Sequence, residues 1–234
     1  MANVRRLGPV GLVVRCVAAA LVAWLLLSVG AVLALRRWPP PVTAMMLEQP
    51  GPLRETRYEW RDRAQLAPTA ARAVIASEDQ RFLAHHGFDF DQLQIAIDEY
   101  RAGDEMRGAS TITQQVAKNV FLWSGRSFVR KGLEAYFTVL LEAFWPKQRI
   151  LEVYLNVAEL GDGVFGVEAA ARQYFGAHAS ALSAEQAALL AAVLPNPHKL
   201  HADKPSNYVR GRQSWILAQM KLLETRGHYR GLDW

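Results

Sequence analysis

The feature that most constrains this chain is an uncharged run from Cys16 to Leu35, bounded by Arg15 and Arg36. At about 1.5 Å per residue, a helix of this length reaches about 30 Å, the thickness of bilayer hydrocarbon. The run predicts one transmembrane helix over 16–35, preceded by a short N-terminal segment, 1–15. Val32-Leu33-Ala34 loosely fits a leader-peptide cleavage site. A leader core usually holds only about 7 to 15 apolar residues, so the reading is a retained anchor. Arg5, Arg6 and Arg15 precede the span and Arg36, Arg37 and Arg54 follow it. The distribution of cations therefore leaves the orientation open.

What remains of the 234 residues is enough for one well-buried domain. The single cysteine, Cys16, excludes an intramolecular disulfide and a cysteine-based metal site, and argues against thiol catalysis. A formal charge of +5 suits nucleic acid, anionic lipid or phosphate-bearing substrates equally. Trp38-Pro39-Pro40-Pro41 stiffens the exit from the span. The polar stretch from Glu48 to Arg63 reads as a linker or small extended cap, so 36–65 is expected to be membrane-proximal and the compact domain to occupy 66–234. Apolar spacing there is helical over Ala70–Ser77, Phe90–Tyr100, Ser110–Leu122, Phe128–Trp145, Lys147–Asn156, Val164–Tyr174, Ser183–Val193 and Asn207–Thr225. Ser183, followed by Glu185 and Gln186, predicts a helix start; Gly176 and Pro195-Asn196-Pro197 predict stops. Strand-like alternation is nearly absent, and the fold class is mainly α.

Two passages carry the candidate chemistry. In EDQRFLAHHG, Glu78 to Gly87, helical spacing would place Glu78, Phe82 and His85 on one face, setting Glu78 against apolar surface as a candidate general base. The alternative is a solvated pair of helix-end carboxylates. Glu78, His85 and His86 make a poor metal set, because adjacent histidines rarely point at one ion, and His85 reads as structural. Asp89-Phe90-Asp91 matches a DxD pattern in a helical neighbourhood, so Asp89 is expected to cap a helix.

The second passage, GASTITQQVAKN from Gly108 to Asn119, lies in a window, Met106 to Leu133, with no acid but with Arg107, Lys118, Arg126, Arg130 and Lys131. Gly108 permits close backbone approach, and Ser110 or Thr111 can cap a helix whose first N–H groups face an anion. Gln114 and Lys118 are four residues apart and project together; Gln115 turns about 100° away, so Gln114 is the expected ligand contact. Glu134 sits four residues after Arg130, as an ordinary ion pair or as the acid that organises a cationic cleft. Phe121, Leu122, Trp123 and Phe128 flank the basic segment and suit either a membrane interface or the core.

Taken in order, these passages with RKGLE (Arg130 to Glu134), KQRILEVYLN (Lys147 to Asn156), GDGVFGVEAAARQYFG (Gly161 to Gly176) and LPNP (Leu194 to Pro197) resemble the peptidoglycan-polymerising glycosyltransferase domain, glycosyltransferase family 51. The chain most resembles that family's monofunctional, membrane-anchored members. The resemblance implies a lysozyme-like helical lobe beside a smaller membrane-proximal lobe, and a domain on the outer face of the cytoplasmic membrane. It implies lipid II and the growing lipid-linked glycan as substrates. The bifunctional relatives' transpeptidase motifs, SxxK and KTG, do not occur here, so strand synthesis without cross-linking is expected.

By the same resemblance, Glu78 is the general base and Glu134 the second essential carboxylate. Asp79, Ser110, Gln114, Gln115, Lys118, Asn119, Arg126, Arg130 and Lys131 are expected to bind or position substrate. A diphosphate leaving group needs cations more than a proton donor, so Glu134 is expected to organise those cations or a diphosphate-bound Mg²⁺ or Mn²⁺. Asp79 is also a candidate for locking its loop. Two other readings compete: a lytic transglycosylase, which has no diphosphate to bind, and a noncatalytic wall-binding scaffold. A nucleic-acid partner is not expected. Cell-wall synthesis or divisome proteins are partners by extrapolation from the family.

Overall fold

The computed structural model describes residues 9–52, 55–103, 110–125 and 127–234, and divides into two compact units at Trp38. The first unit is a single helix, α1 (Pro9–Leu35). Its span from Val10 to Leu35 has a mean hydropathy of 2.5, making it long and apolar enough to cross a membrane. It starts before Arg15, so the helix exceeds the uncharged run that marks it in the sequence.

The second unit is mainly helical, ordered α2 (Ala44–Leu47), β1 (Arg57–Tyr58), α3 (Pro68–Glu78), α4 (Phe90–Arg101), α5 (Ile112–Phe121), α6 (Phe128–Phe144), α7 (Lys147–Val157), β2 (Glu159–Gly161), β3 (Val164–Phe165), α8 (Val167–Phe175), α9 (Ala184–Val193) and α10 (Asn207–Thr225). Helix ends follow local chemistry. Pro68 opens α3, where its missing N–H costs nothing. Thr111 caps α5 and Ser183 caps α9, each with a glutamine three residues on that closes a capping box. Asp89 accepts from the Gln92 backbone and caps α4, as its position before the apolar run predicts. Gly176, left-handed at φ +62°, ends α8.

The core forms where alanine-rich α3 packs against α9 and α10, while α5 packs against α6 and α7; α3 also meets α7. Ala71, Ala73 and Ala76 of α3 are fully buried, and their small side chains permit close helix approach.

Two expectations change. The helix expected from Val164 begins three residues later. Val164 and Phe165 form β3, the middle strand of a sheet ordered β1-β3-β2, parallel to β1 and antiparallel to β2. Gly166 then turns the chain at φ +83°, and a Cβ there would lie 2.4 Å from the Asn156 carbonyl oxygen. Only glycine fits this close approach, so the helix cannot start earlier.

The polar segment read as a linker is also knitted into the domain. Arg57 donates its N–H to Gly163, and the Asn156 side chain pairs with both the N–H and the carbonyl of Arg61. The Arg63 N–H donates to Glu152, and the Arg61 guanidinium reaches Glu168 at 3.0 Å. A polar segment can satisfy its backbone on a fold's buried carboxylates and amides as well as on water, and composition does not separate the two cases.

Candidate active site

Helix α3 ends at Glu78, and the chain turns through residues 79–86 instead of continuing the helix. The expected shared face of Glu78, Phe82 and His85 therefore does not form. Asp79, buried at the helix terminus, is the reason: its carboxylate takes the His85 Nε2 at 2.9 Å and the Ile112 N–H at 3.1 Å. One side chain thus ties the loop to the first residue of α5 and satisfies an otherwise orphaned helix N–H. Asp79, His85 and Phe82 are all buried.

Glu78 keeps a carboxylate that solvent can reach, 15% exposed, held from three directions. Ser77 donates its hydroxyl to Oε1 at 2.8 Å and Gln115 donates Nε2 to Oε2 at 3.0 Å. Arg212 of α10 approaches Oε1 at 3.6 Å and donates to the Ser77 hydroxyl at 3.2 Å. Gln115 is itself fixed by the Tyr154 hydroxyl, which donates to Oε1 at 2.9 Å. Burial drives the Tyr154 phenol well above its ordinary range, reinforced by the charges of Glu78 and Asp79, so it remains a proton donor.

This geometry reverses the expected ranking of the two glutamines. Gln114 is consumed by the capping box, its Oε1 accepting the Thr111 N–H at 3.0 Å, and is buried. Gln115, 100° further round, meets Glu78. Ser110 is exposed immediately before the cap, and Asn119 is buried on α5.

One turn beyond Gln115, α5 carries Lys118. Burial lowers the pKa of its ammonium, and the nearby charge of Glu134 opposes that; Arg130 and Lys131 lower it further, while Glu159 of β2 raises it. These five groups form one electrostatic cluster. Glu134 is only 3% exposed. It accepts from Arg130 Nη1 at 2.6 Å on Oε2 and from Lys131 on Oε1. Arg130 retains a buried Nε–H with no acceptor among the described residues. Glu159 is raised above the ordinary carboxylate range by burial, against the opposing charge of His198. Arg107, Gly108 and Arg126, expected on the cationic and glycine-permitted side of the site, lie outside the described residues.

The aromatic residues beside the basic segment divide between both expected roles. Phe121 stacks on Phe137 at 4.4 Å and Leu122 is buried, whereas Trp123 and Phe128 are exposed.

A divalent ion held by the protein at Glu134 does not fit these residues. Both Glu134 oxygens are engaged by cations. The acid and histidine groups that do converge among the described residues, Asp79 with His85 and Asp89, and Glu159 with Asp162 and His198, exclude Glu134.

Four participants carry no local sequence signal. Ser77 ends one apolar run and Tyr154 stands inside another, and Arg212 is 135 residues from Ser77. Glu159 is likewise placed only by the hairpin.

Chemically, the arrangement offers an accessible carboxylate held in a fixed orientation by Gln115 of α5 and, around Lys118 of that same helix, a partly desolvated set of cations for an anion. A family model described as "Transglycosylase" matches residues 45–221. Curated relatives named biosynthetic peptidoglycan transglycosylase include one from Stutzerimonas stutzeri, 54% identical over 210 residues and 87% of both chains. Another, from Chromohalobacter salexigens, is 60% identical over 167 residues and 71% of both chains. A third, from Shewanella oneidensis, is 48% identical over 200 residues, covering 84% of this chain and 86% of its own. The chain belongs to the transglycosylase family.

Proposed function

We propose that the protein is a membrane-anchored peptidoglycan glycosyltransferase that polymerises lipid II into β-1,4-linked glycan. The observation that carries this reading is that α5 joins both halves of the chemistry. Gln115 holds Glu78, and Lys118, on the following turn, belongs to the Glu134–Arg130–Lys131 cluster.

Glu78 takes the proton from the GlcNAc 4-hydroxyl of an incoming lipid II. The freed oxygen attacks the muramyl C1 of the growing chain from the face opposite its lipid diphosphate, inverting an α-linked donor to a β-linked product. Charge develops on a diphosphate, a good leaving group that needs counter-charge more than a proton. Lys118 and Arg130 supply it, and the unsatisfied Arg130 Nε–H is a ready donor. Glu134 holds Arg130 and Lys131 in register, and its charge favours the ammonium form of half-buried Lys118. The reading places the domain on the outer face of the cytoplasmic membrane, with the growing glycan and lipid II as its partners there.

The test is polymerisation of purified lipid II by the full-length protein, comparing wild type with Glu78→Gln and resolving strands on a gel. Long muramidase-sensitive strands from wild type alone are expected. No polymer from folded wild type, with native lipid and divalent metal supplied, overturns the reading. Lys118→Ala separates it from strand cleavage: polymerisation is lost here, whereas a lytic enzyme would keep cutting preformed strands.

A further inference from the structure

Helix α10 has two apolar faces, and the fold uses one. Val209, Ile216, Met220 and Leu223 are buried against the domain. On the other face Tyr208, Trp215 and Leu222 are 62%, 45% and 38% exposed. They recur every seven residues. Gly211 and Ala218, both exposed, fall between them at alternating three- and four-residue steps. The resulting order, large-small-large-small-large, is the a/d seam of a helix that packs against another helix.

Gly211 is the sharper observation. Glycine inside a helix is destabilising relative to alanine, yet a Cβ at this position would meet nothing within 4 Å. The chain's own packing gives no reason for the missing methyl. A hollow between Tyr208 and Trp215 that admits a ridge from outside does. Beside the seam, Arg210, Lys221 and Arg226 are exposed, whereas Glu224 is already bonded to Arg72 at 2.7 Å. The flank thus offers cations, its acid having been neutralised internally.

We propose that this face of α10 is the docking surface for one amphipathic helix of a partner protein, whose apolar seam is flanked by Asp and Glu. A second copy of this chain would set cationic flank against cationic flank. A lipid surface would accept the aromatic and cationic residues but has no ridge to match a periodic hollow. The proposal is independent of the polymerase reading.

The test places a benzophenone amino acid at Trp215 of the full-length protein, in the cells that carry it, with Ser180, exposed near the start of α9, as the control site. Fragmentation of the adduct identifies the attached segment. The expected result is a partner-protein adduct at 215, at least tenfold above the control, on a helix with acidic flanks. Lys221→Glu with Arg226→Glu lowers that yield at least tenfold, while lipid II polymerisation by the purified variant stays within twofold of wild type. An adduct yield at 215 no higher than at 180, an adduct to lipid or to a second copy, or a yield indifferent to the charge reversal overturns the proposal.

Discussion

Replacing Tyr154 by Phe isolates how Glu78 is held, because it removes one oxygen that is bonded to Gln115 and not to Glu78 itself. That hydroxyl donates to Gln115 Oε1 at 2.9 Å, and the same amide donates to Glu78 Oε2 at 3.0 Å. The lost hydrogen bond is worth about 1 kcal/mol, and a half-buried amide oxygen left without its donor adds up to a comparable cost. Stability should therefore fall by about 2 kcal/mol, lowering the thermal midpoint in detergent by about 4–8 °C. Catalysis should suffer separately. The Gln115–Glu78 bond is charge-assisted, worth about 1.5–3 kcal/mol when fixed, and losing half of it corresponds to about fourfold to twelvefold in kcat. If Gln115 acts by holding Glu78, the loss should fall on kcat and leave KM unchanged. The decisive assay is a double-mutant cycle on initial rates of lipid II consumption. Gln115→Ala alone should slow turnover at least as much, and adding Tyr154→Phe to it should cost nothing further. Additive losses, or a Tyr154→Phe enzyme with wild-type kcat and a lowered midpoint, would refute the relay and leave the hydroxyl a purely structural group.

The same geometry fixes three other outcomes. Glu134→Gln leaves Arg130, only 12% exposed, without its counter-charge, which should cost about 3–5 kcal/mol in urea titrations. Because Glu134 raises a Lys118 ammonium that burial lowers, the alkaline limb of kcat/KM should also move to lower pH in this variant. Arg212→Ala should reduce kcat by roughly threefold to tenfold with KM unchanged, about 1 kcal/mol for a partly exposed ion pair, and Arg212→Lys should recover part of it; an unchanged kcat would remove Arg212 from the site. Burial alone would raise Glu168, but the Ala179 N–H, Arg172, Arg61 and His178 outweigh it and hold the carboxyl at about 2 against an ordinary 4.5. A depressed folded value contributes stability that is present above pH 4.5 and lost as pH falls toward 2. With Arg172 and His178 about half exposed, screening leaves roughly 1–2 kcal/mol of that contribution. Glu168→Gln should flatten the acid limb of stability between pH 5 and 3, and an unaltered limb would count against it.

Helices, caps and the apolar span are legible in the sequence because each is decided within a few residues. Asp89 and Ser183 stand just before apolar-periodic runs, and their side chains accept the expected backbone N–H groups. What sequence reading misses is decided by long-range geometry. Val164 and Phe165 have the composition of a helix start, but β1, more than a hundred residues earlier, pairs with them. Arg212 lies on a helix whose local pattern reports only its packing, and it reaches Ser77 and Glu78 because α10 crosses α3.

The two glutamines show how one local choice sets the whole site. Both are amides on one helix, and counting residues from Lys118 favours Gln114, which lies one turn before it. Thr111, however, needs a partner at the third helical position for its own N–H, and Gln114 fills that role. Once Gln114 is bound to the cap, the phase of α5 is fixed: position 115 faces the end of α3 and Tyr154, and Lys118 reaches the Glu134 cluster. A Gln114→Ala variant would therefore act through the cap. It would loosen the first turn of α5, where Asp79 also binds the Ile112 N–H, and disturb the base and the cations together. Because the capping residue and the Glu78 contact are neighbours on α5, a loosened helix start would displace Gln115 and Lys118 together.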